Sequence, residues 1–211
     1  MTDTVFSDFD AKKAALWGQH TVQLRHNLHE RQAFTNSGLA DLLDSIPESS
    51  MAINTMARDG HDATTWTYCQ RGDLTGAQLI DAIAQGRIWI NLSNIDDVSP
   101  LMRDVLEEMY ASIRGHVPQM KNVFRKHLGL LISSPGAQVF YHADVPGQGL
   151  WQLRGEKRIY LYPNTEPFLK RKDLENVIRG VTEEEVHYET WFDDHATIVD
   201  MKPGDMLHWP L

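Results

Sequence analysis

The chain has 211 residues, 42% of them hydrophobic and 23% charged, with a formal net charge of −9 and a single cysteine, Cys69. These figures exclude a disordered chain, an intrachain disulfide and a cysteine-based zinc site, and they argue against a broad phosphate-neutralising face. The length suits one domain with an extension, enough to bury roughly 70% of the unfolded surface. The acidic N-terminus lacks the basic region of an export signal, and the longest run free of Asp, Glu, Lys and Arg, residues 127–143, contains serines, histidines and a Pro-Gly pair. A soluble, cytoplasmic protein with no membrane partner is expected, and nucleic acid is not an expected ligand.

Helical spacing of Phe6, Phe9, Ala14 and Trp17 predicts a short helix over 6–17. Leu39, Leu42, Leu43 and Ile46 predict a second, stopped by Pro47. Extended runs at 51–56 and 64–68, with Arg58-Asp59-Gly60 between them, predict a hairpin. Thr75 is an N-cap for a helix over 76–85, Gly86 closes it, and 87–92 alternates like a half-buried strand. Ser99 and Pro100 start the clearest helix, in which Leu101, Val105, Met109 and Ile113 recur every four residues before Gly115 ends it.

After about residue 125 the texture changes to short strands broken by Pro-Gly pairs and single glycines, as in a jelly roll or another antiparallel double-sheet fold. Strands are expected at 128–132, 138–143, 150–153, 157–162, 196–201 and 206–209, with a charged insertion at 170–179 and a solvated acidic turn at 183–185. The organisation expected is therefore α+β: a mixed helical section, 1–125, packed on or lending strands to a β core, 126–211.

His142 and Asp144, two residues apart in a segment rich in β-formers, share a face if extended and can hold one cation between them. The plainer alternative is a strand-end histidine bonded to a neighbouring carboxylate. Lys157 shares a strand face with Ile159 and Leu161. An ammonium placed there either snorkels to the sheet edge or stays charged opposite a fixed anion, because an unpaired buried ammonium is too costly. A turn at Arg154-Gly155-Glu156 is expected to pair 150–153 with 157–162 as a hairpin, which places the cation corner and the lysine on one sheet.

Three ordered stretches, Tyr141-His142-Ala143-Asp144, then Trp151-Gln152-Leu153-Arg154-Gly155-Glu156-Lys157 running on to Pro163, then Lys202-Pro203-Gly204-Asp205 running on to Pro210, resemble the cupin-like JmjC family of Fe(II)- and 2-oxoglutarate-dependent oxygenases. The resemblance covers about the last third of the chain. It implies a double-stranded β-helix (jelly-roll) core and a hydroxylase, a dioxygenase that couples oxidation of 2-oxoglutarate to hydroxylation of a substrate C–H bond with O2. By position it implies His142 and Asp144 as catalytic iron ligands and Lys157 as the partner of the distal carboxylate of 2-oxoglutarate. Gln148 resembles a position that contacts the proximal end of that cosubstrate.

The family's remaining histidine ligand follows the Pro-Gly-Asp motif by a few residues, so the third ligand is expected beyond Leu211. His208 is a weaker candidate inside the sequence, and His187 and His195 are alternatives. The substrate implied is a protein side chain or a small molecule, with an oligomer left open. Two other classes compete: a non-catalytic cupin-like binding module, and another metal-dependent cupin enzyme that has no need of Lys157. The tryptophans are expected in core or interface packing. His20, His26 and His29 are expected at the surface.

Overall fold

The computed structural model describes residues 5–55, 66–123, 125–144, 148–182 and 186–210. In chain order the elements are α1 (Ala11–Leu16), β1 (Val22–Arg25), α2 (Asn36–Ser45), β2 (Ala52–Thr55), β3 (Thr67–Cys69), α3 (Gly76–Gln85), β4 (Ile88–Leu92), α4 (Ile95–Val98) and α5 (Pro100–His116). They continue with β5 (Leu130–Ser133), β6 (Gln148–Trp151), β7 (Lys157–Leu161), α6 (Arg171–Ile178), β8 (Thr197–Met201) and β9 (Asp205–Trp209). The class is α+β, and the strand pairs described are antiparallel. No barrel closes among the described residues. No helix among them is long and apolar enough to cross a membrane. Composition marks a border near residue 125, whereas contacts group Met1–His29 with Phe140–Leu211 and set Glu30–Val139 apart as a second compact unit.

In the unit Glu30–Val139 the sheet order is β3-β2-β4-β5. Ile53, Ile90 and Ile132 lie side by side across β2, β4 and β5, and Ile90 and Leu92 are fully buried. The helices start where the sequence places caps. The Thr35 hydroxyl accepts from Gly38 N–H, Thr75 and Gln78 form a reciprocal capping box, and Ser99 accepts from Met102 N–H ahead of Pro100. Two details of α5 depart from expectation. It runs through Gly115 to His116, and the chain leaves it at Val117, ahead of Pro118, which has no N–H to continue the ladder. Its buried stripe is Met102, Val105, Leu106, Met109 and Ile113, while Leu101 faces solvent. The expected turn at 58–60 lies outside the described residues, and β2 and β3 on either side of it do pair.

In the unit Met1–His29 with Phe140–Leu211 two sheets form, β1-β9-β6 and β7-β8. Only residues 11–16 of the helix expected over 6–17 are helical. Asp10 caps them, and Phe6 instead makes an antiparallel bridge with His26. The hairpin expected from 150–153 and 157–162 does not form. β6 pairs with β9 and β7 with β8, so Gly155, at φ +64°, turns the chain from one sheet into the other. The two sheets meet across one apolar layer: Val199, Met201 and Leu207 are buried there, with Leu150, Ile159, Leu161 and Trp209 packed against them. The strand expected at 138–143 is also missing. Residues 137–141 lie in no ladder, and Tyr141 turns its ring into a cluster with Tyr162, Tyr188 and Phe192 while its hydroxyl donates to the Phe168 carbonyl. Side-chain packing there replaces strand pairing. The charged insertion forms α6, and residues 183–185 lie outside the described residues.

Candidate metal and anion site

His142 and Asp144 come together outside the named strands, His142 standing at an isolated bridge position. The His142 Nε2 and an Asp144 carboxylate oxygen are 3.6 Å apart. The other ring nitrogen, Nδ1, lies 2.8 Å from the Phe140 carbonyl. A carbonyl only accepts, so Nδ1 carries a proton and Nε2 is the nitrogen turned toward Asp144. That is the ring orientation found in metal-binding histidines, whose second nitrogen is held by a backbone carbonyl or a carboxylate.

Asp144 is mostly buried, with 23% of its side chain exposed. Desolvation raises its pKa above the usual carboxylate range, and the neighbouring His142 and a hydrogen bond from the Trp209 side chain pull the other way. A carboxylate kept ionised in such a place gains from a cation beside it. The Nε2 and carboxylate oxygen offer one nitrogen and one oxygen donor close to the roughly 3 Å spacing of adjacent ligands with metal bonds of about 2.0–2.2 Å, a donor set that suits Fe(II) as well as Zn(II). The pair therefore fits a divalent metal as two of its ligands.

Lys157 opens β7, directly across from the buried Met201 on β8. Strand alternation puts it on the same face as Ile159 and Leu161, which pack into the layer between the sheets. Desolvation lowers its pKa from the usual lysine value. Lys157 and the His142–Asp144 pair are thus not neighbours on one sheet, as the hairpin expectation had it. Trp209 links them, because it packs against the same layer as Ile159 and Leu161 and also bonds Asp144. That role has a sequence signal, since Leu207 and Trp209 alternate onto one face of β9 while His208 takes the other.

His208 has no donor atom to give a metal. Its Nδ1 lies 2.7 Å from the Gln148 carbonyl, its Nε2 accepts from Gly18 N–H at 3.2 Å, and its ring stacks on Trp17 at a centroid distance of 4.0 Å. Both nitrogens are engaged with backbone, and burial lowers the pKa of a ring already suited to the neutral form. His187 is exposed and bonds Glu189 at 3.1 Å, and the exposed His195 packs edge-on to Phe168 and Trp191. Neither meets His142 or Asp144 in a group of three potential ligands among the described residues. Gln148 stands at the start of β6, opposite Trp209, with residues 145–147 outside the described residues.

Two further placements escaped the sequence. His26 is 4% exposed rather than at the surface, its Nδ1 accepting from Leu28 N–H and its ring packed on Trp151. In the other unit, Asp96, Asp97 and His127 bring three potential ligand atoms within 4.8 Å of one another. Compared with family models and with curated protein sequences, the chain matches none.

Proposed function

We propose that the chain is an Fe(II)- and 2-oxoglutarate-dependent oxygenase of the JmjC type, hydroxylating a protein side chain or a small molecule, on a cupin-like jelly-roll core. The observation that carries this is the His142–Asp144 pair: a histidine with its Nδ1–H tied to Phe140 and its Nε2 open, 3.6 Å from a desolvated carboxylate. The jelly-roll assignment is supported by two antiparallel sheets that share one apolar layer, with successive strands β6 and β7 in different sheets.

Iron held by His142 and Asp144 supplies the coupling of 2-oxoglutarate decarboxylation, with O2, to hydroxylation of a substrate C–H bond. The chain's own residues do the rest. Phe140 fixes the His142 ring and Trp209 fixes the Asp144 carboxylate, so both donors are oriented before any metal arrives. Lys157 donates a charge-assisted hydrogen bond to the distal carboxylate of 2-oxoglutarate, whose negative charge offsets the desolvation of the ammonium. Gln148, four residues past Asp144, serves the proximal end of the same molecule. Holding both ends of the cosubstrate sets its orientation relative to the metal, which is the positional contribution to catalysis.

The test separates the two halves of the site. Isothermal titration with Mn(II) in place of iron, with and without 2-oxoglutarate, should show that Lys157→Ala weakens 2-oxoglutarate binding at least tenfold while metal affinity changes less than twofold. His142→Ala should weaken both. Equal 2-oxoglutarate affinity in the parent and Lys157→Ala would remove the anion clamp and with it the oxygenase reading.

A further inference from the structure

We propose that the N-terminal segment, residues 5–29, is an acid-sensitive strap, closed over the β1-β9-β6 sheet by two buried histidines, His26 and His208, that can hold it only while neutral. This rests on none of the oxygenase assignments. Within the unit formed by Met1–His29 and Phe140–Leu211, the strap runs along one edge of β9, with Val22 opposite His208 and Arg25 opposite Asp205. One histidine belongs to β9 and reaches the strap; the other belongs to the strap, where its own N–H bonds the Gly204 carbonyl and its ring packs on Trp151 of β6. Each ring accepts a backbone N–H of the strap. Leu28 N–H donates to His26 Nδ1 at 3.1 Å, and Gly18 N–H donates to His208 Nε2 at 3.2 Å. A ring nitrogen that accepts from an N–H carries no proton, so the imidazolium, in which both nitrogens donate, can make neither bond.

Neither ring takes up a proton cheaply where it sits. His26 is 4% exposed and its Nε2 is buried with no hydrogen-bond partner. Protonation would leave two N–H donors buried, one of them facing Leu28 N–H. The charged neighbours add to the penalty: His29 stands edge-on at 5.7 Å, and the Arg25 guanidinium, itself paired with Asp205, adjoins in sequence. Burial and His29 pull the His26 pKa down to about 4, against the opposing pull of the Asp205 and Gln152 carbonyls. His208 lies between the stacked ring of Trp17 and the Gln148 carbonyl, which accepts its Nδ1–H, and burial lowers its pKa too. The strap's other fastenings are Asp8, which accepts from Arg25 N–H and Lys13, Asp10, which caps α1, and the buried Phe6, Phe9, Val22 and Leu24. These keep it closed at neutral pH, so acid raises the frequency of a rare opening. An open strap binds protons below pH 6.5 that the closed one excludes down to about 4, and His26 alone makes opening roughly 20-fold more frequent at pH 5 than at pH 7.

Hydrogen exchange of the full chain, read by mass spectrometry and corrected for the intrinsic rate at each pH, tests the strap. Protection of the amides in 17–29 should fall at least twentyfold from pH 7 to pH 5, and these amides should exchange ahead of those in the β7–β8 ladder at both pH values. His26→Asn and His208→Gln each keep an oxygen acceptor near the lost ring nitrogen without titrating there. Each substitution alone should reduce the fall, and the two together should bring it below threefold. Protection in the parent that does not change with pH, or a fall as large in the double variant as in the parent, overturns the strap. So does exchange of 17–29 in step with the β7–β8 ladder, which would make the whole unit open at once. If the double variant does not fold, the single ones decide, and a fall undiminished in either overturns the pairing of the two histidines.

Discussion

At the residue scale, histidines that look alike in the sequence are set apart by what each ring nitrogen touches. The Phe140 carbonyl holds His142 Nδ1 and turns Nε2 toward Asp144, whereas the Gln148 carbonyl and Gly18 N–H occupy both ring nitrogens of His208. Sequence spacing singled out His142, Asp144 and Lys157 as candidates, because a two-residue interval and a strand alternation can be counted along the chain. It could not distinguish the open nitrogen of His142 from the occupied ones of His208, because the partners that distinguish them are backbone groups distant in sequence. His26 is the sharpest case. Burial holds its pKa at about 4, against 6.5 for an unperturbed histidine, with the neighbouring His29 adding to the effect. The unfolded chain therefore takes up a proton at this residue as the pH falls below 6.5, while the folded chain does not until about pH 4. Stability from this group is complete above 6.5 and is lost between 6.5 and 4, by about 1.4 kcal/mol at about pH 5.5 and about 3 kcal/mol in full. His26→Asn keeps an acceptor for Leu28 N–H in an Asx-type turn and has no such titration. Urea midpoints at pH 7 and pH 5.5 should fall less for the variant than for the parent. Equal falls would show that His26 does not govern this window.

At the scale of elements, local signals succeeded where the chain itself supplies both partners. The caps at Thr35, Thr75 and Ser99 and the helices behind them were legible because a hydroxyl and the N–H three residues on belong to one short segment. Strand pairing was not. A glycine turn between two extended runs reads as a hairpin, yet β6 and β7 separate into two sheets because β9 and β8 offer Leu207, Val199 and Met201 to bury against. The loss of the strand at 138–143 has the same origin, since an aromatic cluster around Tyr141 outweighed the β-propensity of its own segment. Packing between α2 and α3 gives a direct test of such tertiary control. Gly76 is buried at the start of α3, where an added Cβ would lie 2.1 Å from the Ala40 carbonyl oxygen of α2. Gly76 N–H also donates to Asp44 at 2.7 Å, so the glycine cannot simply move away without losing that bond. Helix propensity favours alanine over glycine by about 1 kcal/mol. Overpacking should reverse the sign, and Gly76→Ala should lower stability by about 2 kcal/mol in chemical denaturation. A stabilised variant would show that the α2–α3 approach relaxes freely.

For the molecule as a whole, the acidic balance and single cysteine narrowed the class of protein, and three spaced motifs pointed to one chemistry. Folding then added the parts that no motif contains: Trp209 between Asp144 and the apolar layer, and β7 and its Lys157 on a different sheet from β6. The proposed oxygenase chemistry requires His142, Asp144 and Lys157 to act on one iron and one cosubstrate. Anaerobic addition of Fe(II) and 2-oxoglutarate to the folded chain tests it most directly, because chelation of the metal by the keto acid produces a visible charge-transfer absorption. The parent should develop that band, His142→Ala should abolish it, and Lys157→Ala should require much higher 2-oxoglutarate to reach it. No band in the folded parent at saturating iron and 2-oxoglutarate, or a band undiminished in His142→Ala, would contradict the assignment.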